Sequence, residues 1–142
     1  MKTRVNAFII ATCFILFFTA TLPAKEPGIA VKELARSEKS WDNTLLPSYP
    51  AGQPEIRILS ITVPPGEKLP LHQHPVINAG VLITGHLRVH TKQGKVLDLH
   101  AGDAIVEVVD TWHWGESVGN TPAHIIVFYA GRADMPVTIK QK

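Results

Sequence analysis

From Glu55 to Ala130 the chain is built of short runs rich in β-branched residues, each stopped by turn-forming residues. Ile56 to Val63 stops at Pro64-Pro65-Gly66, and Val76 to Thr84 stops at Gly85. Leu87 to His90 turns through Lys92-Gln93-Gly94-Lys95 into Val96 to Leu99, a hairpin pattern. Ala101-Gly102-Asp103 is a further turn before Ala104 to Val109, and Ile125 to Ala130 is the last strong run. Almost no segment shows helical spacing. Short strands punctuated in this way pack as a sandwich or close into a barrel, so the expected fold class is all-β.

The N-terminal third reads differently. Lys2 and Arg4 precede an apolar run from Ala7 to Ala20, and small residues follow as far as Ala24. The run is short of the ~20 residues of a spanning helix, and the layout is that of a secretory signal peptide over residues 1–24. Export to the periplasm or the medium is the expectation, with no stable membrane insertion once the leader is cleaved. Without Lys2 and Arg4 the chain has twelve basic and twelve acidic residues. No basic cluster remains that would hold phosphates, which argues against a nucleic-acid partner. Cys13 is the single cysteine and falls in the leader, so disulfides, thiolate metal sites and cysteine nucleophiles are excluded.

Residues 25–54 form an irregular N-terminal arm. Val31 to Lys39 places Val31, Leu34 and Ala35 at helical spacing and reads as a short helix or an edge strand. Trp41 to Pro54 carries Pro47, Pro50, Gly52 and Pro54 and reads as a loop. Its large apolar residues Trp41, Leu45, Leu46 and Tyr49 are expected to cover part of the barrel, which spans residues 55–142.

The chemistry concentrates in Gly66-Glu-Lys-Leu-Pro-Leu-His72-Gln-His74. Alternate strand residues share a face, so His72 and His74 project together, roughly 7 Å apart along the strand. Two neutral imidazoles so placed call for a third to complete a first-row metal site. His113, between Trp112 and Trp114 and flanked by apolar strands, is the candidate.

With these residues in view, the chain resembles a small single-domain cupin. The first cupin motif runs Gly, five residues, His-x-His, three or four residues, Glu, six residues, Gly. Gly66, His72, His74, Asn78 and Gly85 fall at those positions, with Asn78 in place of Glu. The second motif runs Gly, five residues, Pro-x-Gly, two residues, His, three residues, Asn. Gly102 and His113 match it, while Val108, Asp110 and Ser117 depart from it. The resemblance implies a jelly-roll-like barrel, often dimeric, holding one divalent transition metal (iron, manganese, nickel, copper or zinc) through His72, His74 and His113.

Asn78 changes the charge of such a site. A Glu there would leave a divalent site at +1, whereas three imidazoles leave it at +2, and Asn offers a weak neutral oxygen ligand. The result suits an anionic or chelating small molecule. Glu107 interrupts the apolar run Ile105-Val106-Glu107-Val108-Val109. Simple alternation back from His113 puts it on the metal side, and a bulge would reverse that. Inside, it is a fourth ligand or a general base. Tyr129 alternates with Ile125 and Val127, and its hydroxyl is within reach of a bound ligand. Trp112, Trp114 and Phe128 read as core or cavity lining. His86, Arg88 and His90 read as a solvated face, His100 and Glu116 as exposed, and His124 is open.

Two functions fit. One is an exported metalloenzyme, oxygenase-type or isomerase/lyase-type, acting on a small oxygen-rich or carboxylated molecule. The other is a non-catalytic module that binds a small ligand or a metal. A homodimer is expected from edge strands and apolar β surfaces.

Overall fold

The computed structural model describes residues 28–141; the expected leader, residues 1–24, lies outside the described residues. Nine strands follow in chain order: β1 (Pro54–Val63), β2 (His72–Gln73), β3 (Ile77–Thr84), β4 (His86–Thr91), β5 (Val96–His100), β6 (Ala104–Val106), β7 (His113–Ser117), β8 (Ala123–Arg132) and β9 (Ile139–Lys140). Among the described residues there is no helix, hence none long and apolar enough to cross a membrane.

The strands form two antiparallel sheets, ordered β1-β8-β3-β6 and β5-β4-β7-β2-β9. Neighbours in space are mostly distant in sequence, which is the jelly-roll pattern. β1 pairs with β8 over its whole length, from Pro54 opposite Arg132 to Val63 opposite Ala123. The hairpin expected between β4 and β5 is present, closed by Thr91 and Lys95 and by the left-handed Gly94.

Alternation sets which side chains face inward. In β4, Leu87, Val89 and Thr91 are buried while His86, Arg88 and His90 are half-buried on the outer face. In β8, Ala123, Ile125, Val127 and Tyr129 point in. Val76, Leu82, Leu99 and Ile105 complete a core between the sheets, each side chain contributing about 1.5–3 kcal/mol by burial. Gly85 makes the step from β3 to β4. It has φ +80°, and a Cβ there would lie 2.5 Å from the Pro122 carbonyl, so no other residue fits the turn.

Four expectations need correction. Residues 32–39 form neither helix nor strand. Their one bridge joins Lys39 to Leu45, because the charged residues stay in water and only Leu34 and Ala35 find apolar neighbours. Of the loop aromatics and leucines, Trp41 does pack on the core, but Leu45 and Tyr49 are exposed. The run from Ala104 ends as a strand at Val106, and Asp110 takes a left-handed φ of 51°. Trp114 and Phe128 lie in neither core nor cavity: Trp114 stacks on His90 at 4.9 Å, Phe128 is exposed opposite Tyr129's inward side, and Trp112 is half-buried.

Candidate metal centre

The site is assembled across the gap between the sheets. His72 in β2 lies directly opposite His113 in β7. Side chains of an opposed antiparallel pair share a face, so both imidazoles point inward. His74, two residues on, joins them from the same side. The three ring centroids are 4.4–4.9 Å apart. One ligand nitrogen from each ring lies within 4.8 Å of the others, and all three residues are buried.

Each ring is held by backbone. His72 Nδ1–H donates to the Pro70 carbonyl at 2.7 Å, His74 Nδ1–H to Val137 at 2.7 Å, and His113 Nδ1–H to Thr111 at 2.8 Å. This bonding fixes one tautomer in all three rings and leaves each Nε2 lone pair for the interior. His113 Nε2 is buried without a hydrogen-bond partner. Three imidazole nitrogens converging in this way, one of them buried with no partner, are the donor set of a divalent transition metal, and the residues fit such an ion.

The opposite sheet faces the imidazoles with polar groups. Asn78 in β3 and Tyr129 in β8 are opposed partners. Asn78 is fully buried; its Nδ2 donates to the Val76 carbonyl at 3.2 Å and its Oδ1 has no partner. The Tyr129 ring meets His74 edge-on at 5.3 Å. Glu107 leaves the end of β6 with its N–H on the Asn78 carbonyl, and its Oε2 comes to 3.9 Å from His113 Nε2. Glu107 is therefore inside, on the His113 side. A cavity of about 40 Å³ lies between these groups, walled by Leu69, Leu87, Val89 and Ile125.

Burial controls the charges. It pushes the Glu107 carboxyl up to about 7, the nearby His72 opposing. The Trp41 indole lies on the same side, but its buried N–H is outside hydrogen-bonding geometry. Burial lowers His74 to about 3, with the His113 and His72 charges adding to it, and also lowers His72 and His113. Tyr129 is raised to about 12 by burial and then by the Glu107 charge, so the phenol keeps its proton.

These shifts set the acid behaviour of the metal-free protein. Below about 6.5 the unfolded chain protonates its histidines while the folded site resists, so stability is lost as pH falls from 6.5 toward 3. His74 contributes up to about 1.4 kcal/mol per pH unit in that window, and the lowered His72 and His113 act in the same direction. Glu107 acts in the opposite direction: its folded form holds a proton between 4.5 and about 7, and its contribution is lost as pH rises through that range. The His74 shift is larger than the Glu107 shift, and His72 and His113 add to it in direction. Urea midpoints of metal-free protein should therefore fall steeply between pH 6.5 and 5, and a flat profile would contradict the buried, neutral imidazoles.

The other histidines play no part. His86 and Arg88 pair with Asp98, and His90 pairs with Glu116, all on the outer face. Glu116 also pairs with Lys68 there. His124 bonds Ser60 outside the sheet, and His100 is exposed. The residues absent from the sequence reading come from the C-terminal segment. Val137 holds His74, Thr138 Oγ1 lies 3.3 Å from His74 Nδ1, and Lys140 is the opposed partner of His72. The alternation in Val137-Thr138-Ile139-Lys140 was the available signal for a strand there.

The sequence model of one family, described as Cupin domain, matches residues 59–129. No curated protein matches the chain. Among solved structures, a DMSP lyase from Ruegeria pomeroyi shares 17% identity at a TM-score of 0.53, covering 61% of this chain and 43% of its own. An oxalate decarboxylase from Lactobacillus farciminis shares 20% at 0.52, covering 60% of this chain and 26% of its own. An uncharacterised double-stranded β-helix protein from Klebsiella pneumoniae shares 22% at 0.52, covering 61% and 75%. At these identities the likeness is one of fold, and the chain spans less than half the length of the lyase and the decarboxylase.

Proposed function

The chain belongs to the cupin family, and from that premise we propose that it is a metal-dependent enzyme of the isomerase/lyase type acting on a small carboxylated molecule. The observation that carries this reading is Glu107: a buried carboxylate, 3.9 Å from His113, with no other acidic side chain among the residues that line the cavity. A divalent metal held by His72, His74 and His113, with Asn78 Oδ1 as a further oxygen donor, would supply Lewis-acid stabilisation of negative charge developing on substrate oxygens.

The remaining work falls to the chain's own groups. A dication among three neutral imidazoles would favour the ionised form of Glu107, which then accepts a proton from the carbon beside the bound carboxylate. Tyr129, held protonated, donates a hydrogen bond to a ligand oxygen. The apolar walls keep bulk water out and strengthen each of these interactions. We also infer export, which rests on the leader pattern of residues 1–24.

The test begins with metal analysis of protein purified without chelator or a histidine tag, where about one transition metal per chain is expected. The loaded protein is then incubated without oxygen in D2O with 2-hydroxy and 3-substituted carboxylates of two to five carbons. Deuterium appearing at the carbon beside the carboxylate, read by NMR, is the expected result. Substrate loss only in the presence of oxygen would replace this reading with an oxygenase. Tight binding without exchange or turnover would replace it with a non-catalytic ligand binder.

A further inference from the structure

Beside the cavity lies a vestibule of about 160 Å³ that shares Ile61, Leu69, His72, His74 and Tyr129 with it. The walls of the vestibule are Leu59, Ile61, Leu69 and Pro70, and its polar residues beyond the shared ones are Thr138 and Lys140. Lys140 is the single cationic side chain on its lining.

Register explains why Lys140 is there. β9 adds to the edge of β2, with Lys140 opposite His72 and His72 opposite His113. The opposed residues form one row across three strands, so Lys140 shares the inward face with the imidazoles. Its charge acts on His72 through space. It forms no ion pair with any carboxylate among the described residues, although most of the other cations near the barrel wall are paired. The segment lies beyond residues 59–129, the range that the family model matches.

We propose that Lys140, with Thr138 beside it, is an anion subsite, and that the ligand is a small dicarboxylate. One carboxylate sits at the three-histidine centre. The second meets the Lys140 ammonium, and the short apolar linker crosses the walls formed by Leu59, Ile61, Leu69 and Pro70. A monocarboxylate satisfies the inner site and leaves Lys140 in water; a dicarboxylate satisfies both. This assignment rests on the metal reading above and adds the substrate's second charge to it.

The test uses full-length protein loaded with cobalt(II), whose visible absorption reports the three-histidine centre directly. Succinate and butyrate, of equal chain length but different charge, are titrated into wild type, Lys140→Gln and Lys140→Arg. Wild type should prefer succinate by about tenfold, the worth of one charge-assisted hydrogen bond. Lys140→Gln should lose that preference with butyrate affinity and cobalt stoichiometry unchanged, and Lys140→Arg should keep it. Equal affinities for the two acids in wild type, or an equal loss of both in Lys140→Gln, with cobalt bound throughout, would overturn the subsite alone. Failure of wild type to bind cobalt would overturn the metal reading and the subsite together.

Discussion

His113→Ala should abolish metal binding and leave the barrel folded. The imidazole is one of three converging donors, and it is the one whose Nε2 is buried with no other partner. Loss of a group that merely orients a ligand costs 10–100-fold in affinity, so loss of the ligand itself should cost more than about 100-fold. The fold should survive because the apolar core, from Val63 to Tyr129, excludes the three histidines. Truncation removes packing but also removes an orphaned polar atom, so the net cost should stay within about 1–3 kcal/mol. Elemental analysis and circular dichroism on the same sample decide the matter. Stoichiometric metal in a folded variant would refute the site.

Glu107→Gln should separate stability from activity. The variant keeps the shape of the side chain and the three imidazoles, so metal content should not change. As the proposed base, Glu107 is worth about 10²–10⁴-fold in rate, and deuterium exchange should fall by that factor. In the metal-free protein the effect has the opposite sign. An ionised carboxylate in this cavity is penalised by burial, which raises its pKa to about 7, so above that pH the native acid costs up to about 3 kcal/mol. Metal-free Glu107→Gln should therefore melt higher than wild type at pH 8. Unchanged exchange in the metal-loaded variant would remove Glu107 from the reaction.

The site was legible where chemistry and local period coincide. His72 and His74 share a face because strand side chains repeat every two residues, and that period needs nothing but the sequence. His113 follows from the need for a third donor and more firmly from the family spacing, since its pairing with His72 is a contact between strands 41 positions apart. The departures from that spacing have physical accounts. Asp110, where the motif carries Gly, takes the left-handed conformation that Asp tolerates better than most residues. Glu107 was ambiguous because parity fails once a strand ends, and β6 ends one residue before it. The outward aromatics are hard to place from sequence for a related reason. Hydrophobicity suggested core for Trp114 and Phe128, but alternation had already committed their inward neighbours His113 and Tyr129. Val137, Thr138 and Lys140 are faint in the sequence, because their alternation is short and the edge strand it forms is two residues long.

The shortest hydrogen bonds that orient the three imidazoles go to carbonyls of Pro70, Thr111 and Val137, with the Thr138 hydroxyl a longer, second contact on His74. A mutation at any of those positions changes the side chain and leaves the carbonyl in the chain. Where the outer partner is instead a carboxylate, a single substitution can delete it. Here the socket is written into the path of the backbone and is robust to drift. Variation is then free to act on Asn78, Glu107 and Lys140, the residues proposed to set charge, proton transfer and ligand choice around an unchanged centre. A lineage could exchange one substrate for another one residue at a time without passing through a form that cannot hold its ion.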